Sequence, residues 1–226
     1  MTPVLTFDLF SALLDSRAGG SAAFSRLAAR RGWGIDGTAL YDRWDALNKA
    51  AQRDCRAWVP YPQLAREALA AAYADLDLSG DVERDLDEVL ASVPGWPLWP
   101  DVADGLGRLA RRYRVGLLSN VDDEIFAATR AAALVDDEVA LTSQRLGVYK
   151  PDPRIYQRAR ERLGEMVHVA TSARDVRGAL EAGIPFVRLR RPGHALDPAG
   201  GRPQHEAGSI DELETVLDRL SEGTDV

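Results

Sequence analysis

From Asp101 onward, short apolar runs of strand length alternate with segments whose apolar residues recur at helical spacing. Few folds accept that alternation. It predicts a parallel, doubly wound α/β sheet with helices on both faces. The predicted strands are Val115–Leu118, Val139–Leu141, Val167–Ala170 and Pro185–Leu189. The intervening helices are read from Asp101, as N-cap, to Arg112, from Asp123 to Leu134, from Pro153 to Leu163 and from Ala173 to Ala182. Ser209-Ile210-Asp211-Glu212 has the form of a capping box, and Leu213, Val216, Leu217 and Leu220 give the final helix one apolar face. Proline, glycine and polar residues between Arg190 and Gly208 predict a loop.

The N-terminal run Val4-Leu5-Thr6-Phe7 has the character of another buried strand, and it ends in Asp8. No strand pattern follows between residues 16 and 95. Helices are expected there from a Ser21 cap through Ala28, from Leu40 to about Arg56, from near Gln63 to Tyr73, and after an Asp81 cap. Pro94-Gly95-Trp96-Pro97-Leu98-Trp99-Pro100 is rigid punctuation and marks a return hinge. The expected organisation is therefore a core of residues 1–15 and 96–226 with an all-helical insert, residues 16–95.

Composition bounds the partners. Formal charge is −7, which argues against nucleic acid or an anionic membrane surface while leaving a small anionic substrate open. No apolar run approaches membrane-span length, and no basic segment followed by an apolar core opens the chain, so neither a span nor a signal peptide is expected. Cys55 is the only cysteine, which suits a cytoplasmic location, and a monomer or homodimer is expected. Of 28 basic residues only Lys49 and Lys150 are lysines. In so arginine-rich a chain, a retained lysine points to a need for a compact ammonium.

In open α/β sheets ligands bind beyond the carboxyl ends of the strands. That places Asp8, Ser119-Asn120 and Thr171-Ser172 around one crevice. Ser119 and Asn120 offer a hydroxyl and an amide for a substrate oxygen, or equally an N-cap. Ser172 and Asp175 fit a capping box as well as a site.

Four stretches together resemble the haloacid dehalogenase superfamily. Phe7-Asp8-Leu9-Phe10-Ser11-Ala12-Leu13-Leu14-Asp15 resembles its first motif, with Ser-Ala in place of Gly-Thr. Leu117-Leu118-Ser119-Asn120 resembles the second, and Lys150-Pro151-Asp152-Pro153-Arg154-Ile155-Tyr156 the third. Val169 to Ala179 resembles the fourth, with Ala170 where magnesium-dependent members carry an acid. The resemblance implies Asp8 as nucleophile, Lys150 as its electrostatic partner, Asp175 as a water-positioning acid, and residues 16–95 as a cap domain.

Phosphatases of the superfamily place a second Asp two residues after the nucleophile, and here that residue is Phe10. L-2-haloacid dehalogenases carry an aromatic residue there and need no metal, because a halide leaves without being protonated. The resemblance is therefore closest to that subgroup and implies an aspartyl-ester hydrolase with no cofactor. Ser119, Asn120 and Ser172 would bind the substrate carboxylate beside Phe10. Arg43, beside Trp44, is the nearest candidate to receive halide, although on a helix it points about 100° away from Trp44. The alternatives are a phosphatase with Mg²⁺ on Asp8, the Phe10 carbonyl and Asp175, a cap-lysine enzyme using Lys49, and a non-catalytic binding protein on the same fold.

Overall fold

A computed structural model describes residues 3–222. Six strands form one sheet: β1 (Val4–Phe7), β2 (Arg114–Ser119), β3 (Ala140–Thr142), β4 (Met166–Ala170), β5 (Phe186–Leu189) and β6 (Glu206–Ala207), in the order β3-β2-β1-β4-β5-β6. Every neighbouring pair is parallel. Phe7 lies opposite Leu117 on one side and Val169 on the other, so the chain leaves β1, β2 and β4 at nearly the same height. Strand order reverses at β1, where a doubly wound sheet opens its crevice.

Both faces of the sheet are covered, which is why β1 reads as an unbroken apolar run rather than an alternating one. On one face α5 (Val102–Leu109) and α10 (Ile210–Glu222) pack Leu106, Ile210 and Leu213 against Leu5, Phe7, Leu117 and Val187. On the other, α8 (Pro153–Leu163) and α9 (Ala173–Ala182) pack Ile155, Tyr156 and Ala179 against Leu118 and Leu141. The remaining short helices are α6 (Asp123–Ala128) and α7 (Ser143–Leu146).

The strand-free stretch is helical, as its pattern predicts. It contains α1 (Ser16–Arg31), α2 (Gly37–Asp54), α3 (Tyr61–Asp75) and α4 (Val82–Ala91). These four share a second apolar core built on Phe24, Leu40, Trp44, Leu69, Leu86 and Trp96. The chain enters and leaves this bundle side by side, with Asp15 N donating to Pro97 O (2.9 Å) and Trp99 N to Leu13 O (3.0 Å).

Several local expectations are corrected. Ser21 does not cap the first helix, which begins at Ser16 with Asp15 accepting from Ala18 N at 3.0 Å. Gly19 and Gly20 lie inside α1. A Cβ on either would fall 2.4 Å from the Trp96 ring or 2.2 Å from the Tyr41 ring, so both serve close packing rather than a turn. The 123–134 helix ends at Ala128, where Thr129 Oγ1 donates to Phe126 O, and resumes as a tight turn at Ala132–Leu134. Asp101 does not cap α5. Its carboxylate instead accepts from Arg191 (2.7 Å) and from Ile210 N (2.9 Å), so it caps α10 from across the core. Ser209 Oγ accepts from Glu212 N, while Glu212 reaches Gly208 N instead of closing the box on Ser209. Ser172 and Asp175 form no capping box, since the Asp175 side chain turns into the site.

Candidate active site

The site is assembled where β1, β2 and β4 end. After Phe7 the chain makes a single wide turn, residues Leu9–Leu13, closed by Leu14 N donating to Leu9 O at 2.9 Å. Asp8 caps that turn. Its Oδ2 accepts from Ser11 N (2.9 Å) and Ser11 Oγ (2.6 Å), which fixes the carboxylate facing the crevice. The other oxygen, Oδ1, accepts from Lys150 Nζ (2.8 Å) and Ser119 Oγ (3.2 Å).

Lys150 is 2% exposed and spends all three ammonium protons: on Asp8, on Asp175 Oδ2 (2.7 Å) and on Leu118 O (2.8 Å). Asn120 holds its backbone from both sides, accepting from Lys150 N (2.7 Å) and donating to Lys150 O (2.9 Å). Asp175 is held in turn by Tyr156 Oη (2.7 Å) and His168 Nε2 (3.1 Å), and His168 Nδ1 meets Thr6 Oγ1 at 3.0 Å. Thr6 and His168 are register partners on β1 and β4, so a polar chain crosses the sheet interior to reach Asp175. Tyr156 can lie so close to α9 because residue 178 is glycine. A Cβ there would sit 2.5 Å from the Tyr156 hydroxyl.

Burial pushes the Asp8 carboxyl up, but the Lys150 ammonium and the hydrogen bonds from Lys150 and Ser11 outweigh it, leaving Asp8 below its ordinary range. Burial opposes ionisation of Asp175 as well, and Lys150 and His168 hold that carboxyl well below the usual carboxylate range. Tyr156 is pushed well up by burial and by Asp175, so it stays a donor.

Above this polar floor lies a small, partly open cavity of about 50 Å³, room for on the order of four water-sized groups. Its roof comes from the helical bundle, where Trp44, Asn48 and Gln52 share one face of α2. Phe10 closes one side, with its ring 6.2 Å from Tyr61 in a stacked arrangement and 6.0 Å edge-on from Trp96. A buried carboxylate thus meets an ammonium at the floor of a small, partly aromatic chamber.

The sequence of haloacid dehalogenase-like hydrolases matches this chain over residues 2–183. The chain belongs to that family. Among curated relatives, (S)-2-haloacid dehalogenase 4A of Burkholderia cepacia is 31% identical over 219 residues, 93% of each chain. (S)-2-haloacid dehalogenase 1 of Pseudomonas sp. (strain CBS-3) is 32% identical over 169 residues, 71% of this chain and 73% of that one. The crystal structure of an L-2-haloacid dehalogenase superposes with a TM-score of 0.81 at 26% identity, covering 97% of this chain and 100% of the other. A dehalogenase solved with an intermediate complex superposes at 0.77 with 29% identity, covering 94% and 95%.

Within this hydrolase, Asp8, Lys150, Asp175, Phe10, Ser119, Asn120 and Ser172 all line the one chamber. Arg43 does not. Its guanidinium pairs with Asp75 on the outer surface of the bundle, because α2 turns Trp44 inward and the preceding residue outward. Asn120 reaches the chamber wall with its amide already committed to Lys150 and to Gln52 Oε1 (2.9 Å). Ser172 makes no cap bond with its side chain and faces the chamber. Lys49 lines the chamber too, paired with Asp45 one turn earlier.

Sequence reading missed Gln52, Tyr61, Arg174 and His194 as wall residues. The polar stripe Trp44, Asn48, Gln52, spaced by four on a buried helix face, was the available signal. Nothing local marked His168, which reads as one more strand residue.

Proposed function

We propose that this hydrolase is a metal-independent 2-haloacid dehalogenase with Asp8 as nucleophile, acting on short-chain substrates. The observation that carries the reading is the Lys150 ammonium bridging Asp8 and Asp175 beside Phe10, where a phosphatase needs an acid. A carboxylate oxygen of Asp8 attacks the halogen-bearing carbon from the face opposite the halogen. The carbon–halogen bond breaks, halide leaves with the electron pair, and an Asp8 ester remains. No proton is needed in that step, so Phe10 is sufficient.

Water, oriented by Asp175 and Lys150, then adds to the Asp8 ester carbonyl. Whichever Asp8 oxygen carries the substrate, the other keeps two donors for the oxyanion: Lys150 and Ser119, or the Ser11 N–H and hydroxyl. Collapse returns the Asp8 carboxylate, a 2-hydroxy acid and one proton. Substitution occurs once at carbon, so an (S)-haloacid gives an (R)-hydroxy acid. Ser172 and the Ser119 hydroxyl face the substrate, while Asn120 serves by fixing Lys150.

The donor set does not suit Mg²⁺. Lys150 already joins the two carboxylates a cation would share, and the Phe10 carbonyl accepts from Ser16 Oγ. Octahedral coordination wants oxygens free of such partners. We further propose that residues 16–95 act as a cap domain over a core of residues 1–15 and 96–226. The separate apolar cores and the paired neck at Leu14 and Leu98 support that division.

A single turnover of (S)-2-chloropropionate in ¹⁸O-water tests the mechanism. Label is expected in the Asp8 carboxylate and not in the first-turnover product. Label in the product hydroxyl during that turnover would mean direct attack by water and end the ester reading.

A further inference from the structure

Arg174 stands apart among the cations around the chamber. Lys150 is matched by Asp8 and Asp175, Lys49 by Asp45, Arg53 by Asp54 and Arg177 by Glu181. No described carboxylate pairs with Arg174. Its Nη2 donates to Gln52 Oε1 at 2.9 Å, and Nη1 reaches the Lys49 carbonyl at 3.5 Å. Both partners are neutral oxygens of α2, so the guanidinium is positioned across the boundary between bundle and sheet with its charge uncompensated. It is partly buried, and its charge is felt at Tyr61 in the chamber roof and at Tyr156 below.

The side chain also lies where two cavities meet. Besides the small chamber, a larger cleft of about 450 Å³ opens between α2, the start of α9 and the loop through Gly193 to Gly201. Lys49, Ser172, Arg174 and His194 line both. The larger cleft adds Arg53 and Arg177, each matched by its own carboxylate, and Asp197, so Arg174 is the cation of this passage with no described acidic partner.

The charge balance completes the argument. Asp8, Asp175 and Lys150 together leave one negative charge on the floor, which repels an anionic substrate unless a second cation is supplied. Arg174 is that cation, and its planar fork suits a carboxylate.

We propose that Arg174, at the throat between the two cavities, binds the carboxylate of the incoming substrate and sets it beside Ser172 above Asp8. The assignment of that carboxylate to a 2-haloacid rests on the dehalogenase reading, whereas anion binding by Arg174 does not.

The test compares wild type with Arg174→Met, which keeps the stem and removes the charge, and with Arg174→Lys. Thermal stabilisation by lactate, propionamide and bromide is measured first, with no turnover required. Lactate is expected to stabilise wild type and to bind at least about tenfold more weakly to Arg174→Met, with partial recovery in Arg174→Lys. Propionamide is expected to distinguish none of the three. Equal lactate binding by wild type and Arg174→Met would overturn the proposal, and so would stabilisation of wild type by bromide but not by lactate; loss of that bromide effect in Arg174→Met would make Arg174 a halide receiver. Kinetics with 2-chloropropionate come second. KM is expected to rise at least tenfold in Arg174→Met while kcat falls less, and Asp8 still takes up ¹⁸O. If wild type binds lactate through Arg174 yet releases no halide from any 2-haloacid, the dehalogenase reading fails and the anion site stands.

Discussion

Asp85 and Asp8 are both buried carboxylates paired with a cation, but only one of them faces an opening. Asp85, in α4, accepts from Arg31 Nη2 (2.5 Å) and Nε (3.2 Å) on one oxygen and from Tyr73 Oη (3.0 Å) on the other. Tyr73 is pushed up by burial and by Asp85, as Tyr156 is by Asp175, so each phenol remains a donor. The difference lies in the cation. Arg31 keeps 30% of its side chain in solvent, whereas Lys150 keeps 2% and has spent every proton inside. Asp85 ties α4 to α1 and α3, while Asp8 is held rigid, ionised and turned toward the chamber. Burial and pairing alone therefore do not mark a site; the open volume in front of the carboxylate does.

The sharpest way to break this contrast is Lys150→Met. Loss of the ammonium leaves Asp8 and Asp175 as two buried, mutually repelling carboxylates, and one of them is expected to take up a proton. Halide release should fall by at least about a thousandfold, because electrostatic stabilisation and nucleophile ionisation go together. The pH dependence carries the sign. In wild type both carboxyls lie below the ordinary value of 3.8, so their contribution to stability is present above it and is lost as pH falls through the depressed folded values. In Lys150→Met the carboxyl that takes up the proton has its folded value raised above 3.8, and stability should instead increase as pH falls through that raised value. Urea midpoints between pH 3 and 7 decide it: parallel curves for the two proteins would mean that Lys150 does not govern the carboxylates.

Asp85→Asn tests the other side. The pair is broken but Arg31, 30% exposed, can turn to water, so the loss should fall below the roughly 3–5 kcal/mol of a fully buried pair, at about 2 kcal/mol. For a chain of this size that is about 5 °C in Tm. The kcat of the folded fraction should not change. A drop in kcat with an intact Tm would place Asp85 in the working of the site and erase the contrast.

The legible part of this molecule was its order along the chain. The strand ends carrying Asp8, Ser119 and Ser172 could be read because each follows an apolar run, and Lys150 stood out in a chain with two lysines. What could not be read depends on contacts across long separations. His168 supports Asp175 only because β4 pairs with β1 in one register. Asp101 looked like the cap of α5 and caps α10 instead, 109 residues away, because Arg191 draws it across. The need for glycine at Gly19 and Gly20 was hidden in the same way, because the rings that occupy the space of their missing Cβ atoms come from Trp96 and Tyr41. Asn120 was read as a substrate ligand from its residue type, and the geometry gives its amide to the Lys150 backbone.

Arg43 supplies the smallest and most discriminating test of how far motif analogy extends. Its position beside Trp44 made it a halide candidate, and helical geometry sends it to Asp75 on the surface, with both side chains more than two-fifths exposed. An ion pair in that setting contributes little, since water screens both charges and two long side chains lose freedom to meet. Arg43→Ala should therefore change stability by no more than about 0.5 kcal/mol and leave kcat/KM for 2-chloropropionate unaltered. The comparison with Arg174→Met makes the measurement specific, because both variants remove one positive charge from the same acidic chain. If overall charge drew the substrate in, the two would lose kcat/KM alike at low salt. A loss confined to Arg174→Met ties recognition to the guanidinium at the throat and leaves Arg43 as part of the solvated surface of α2.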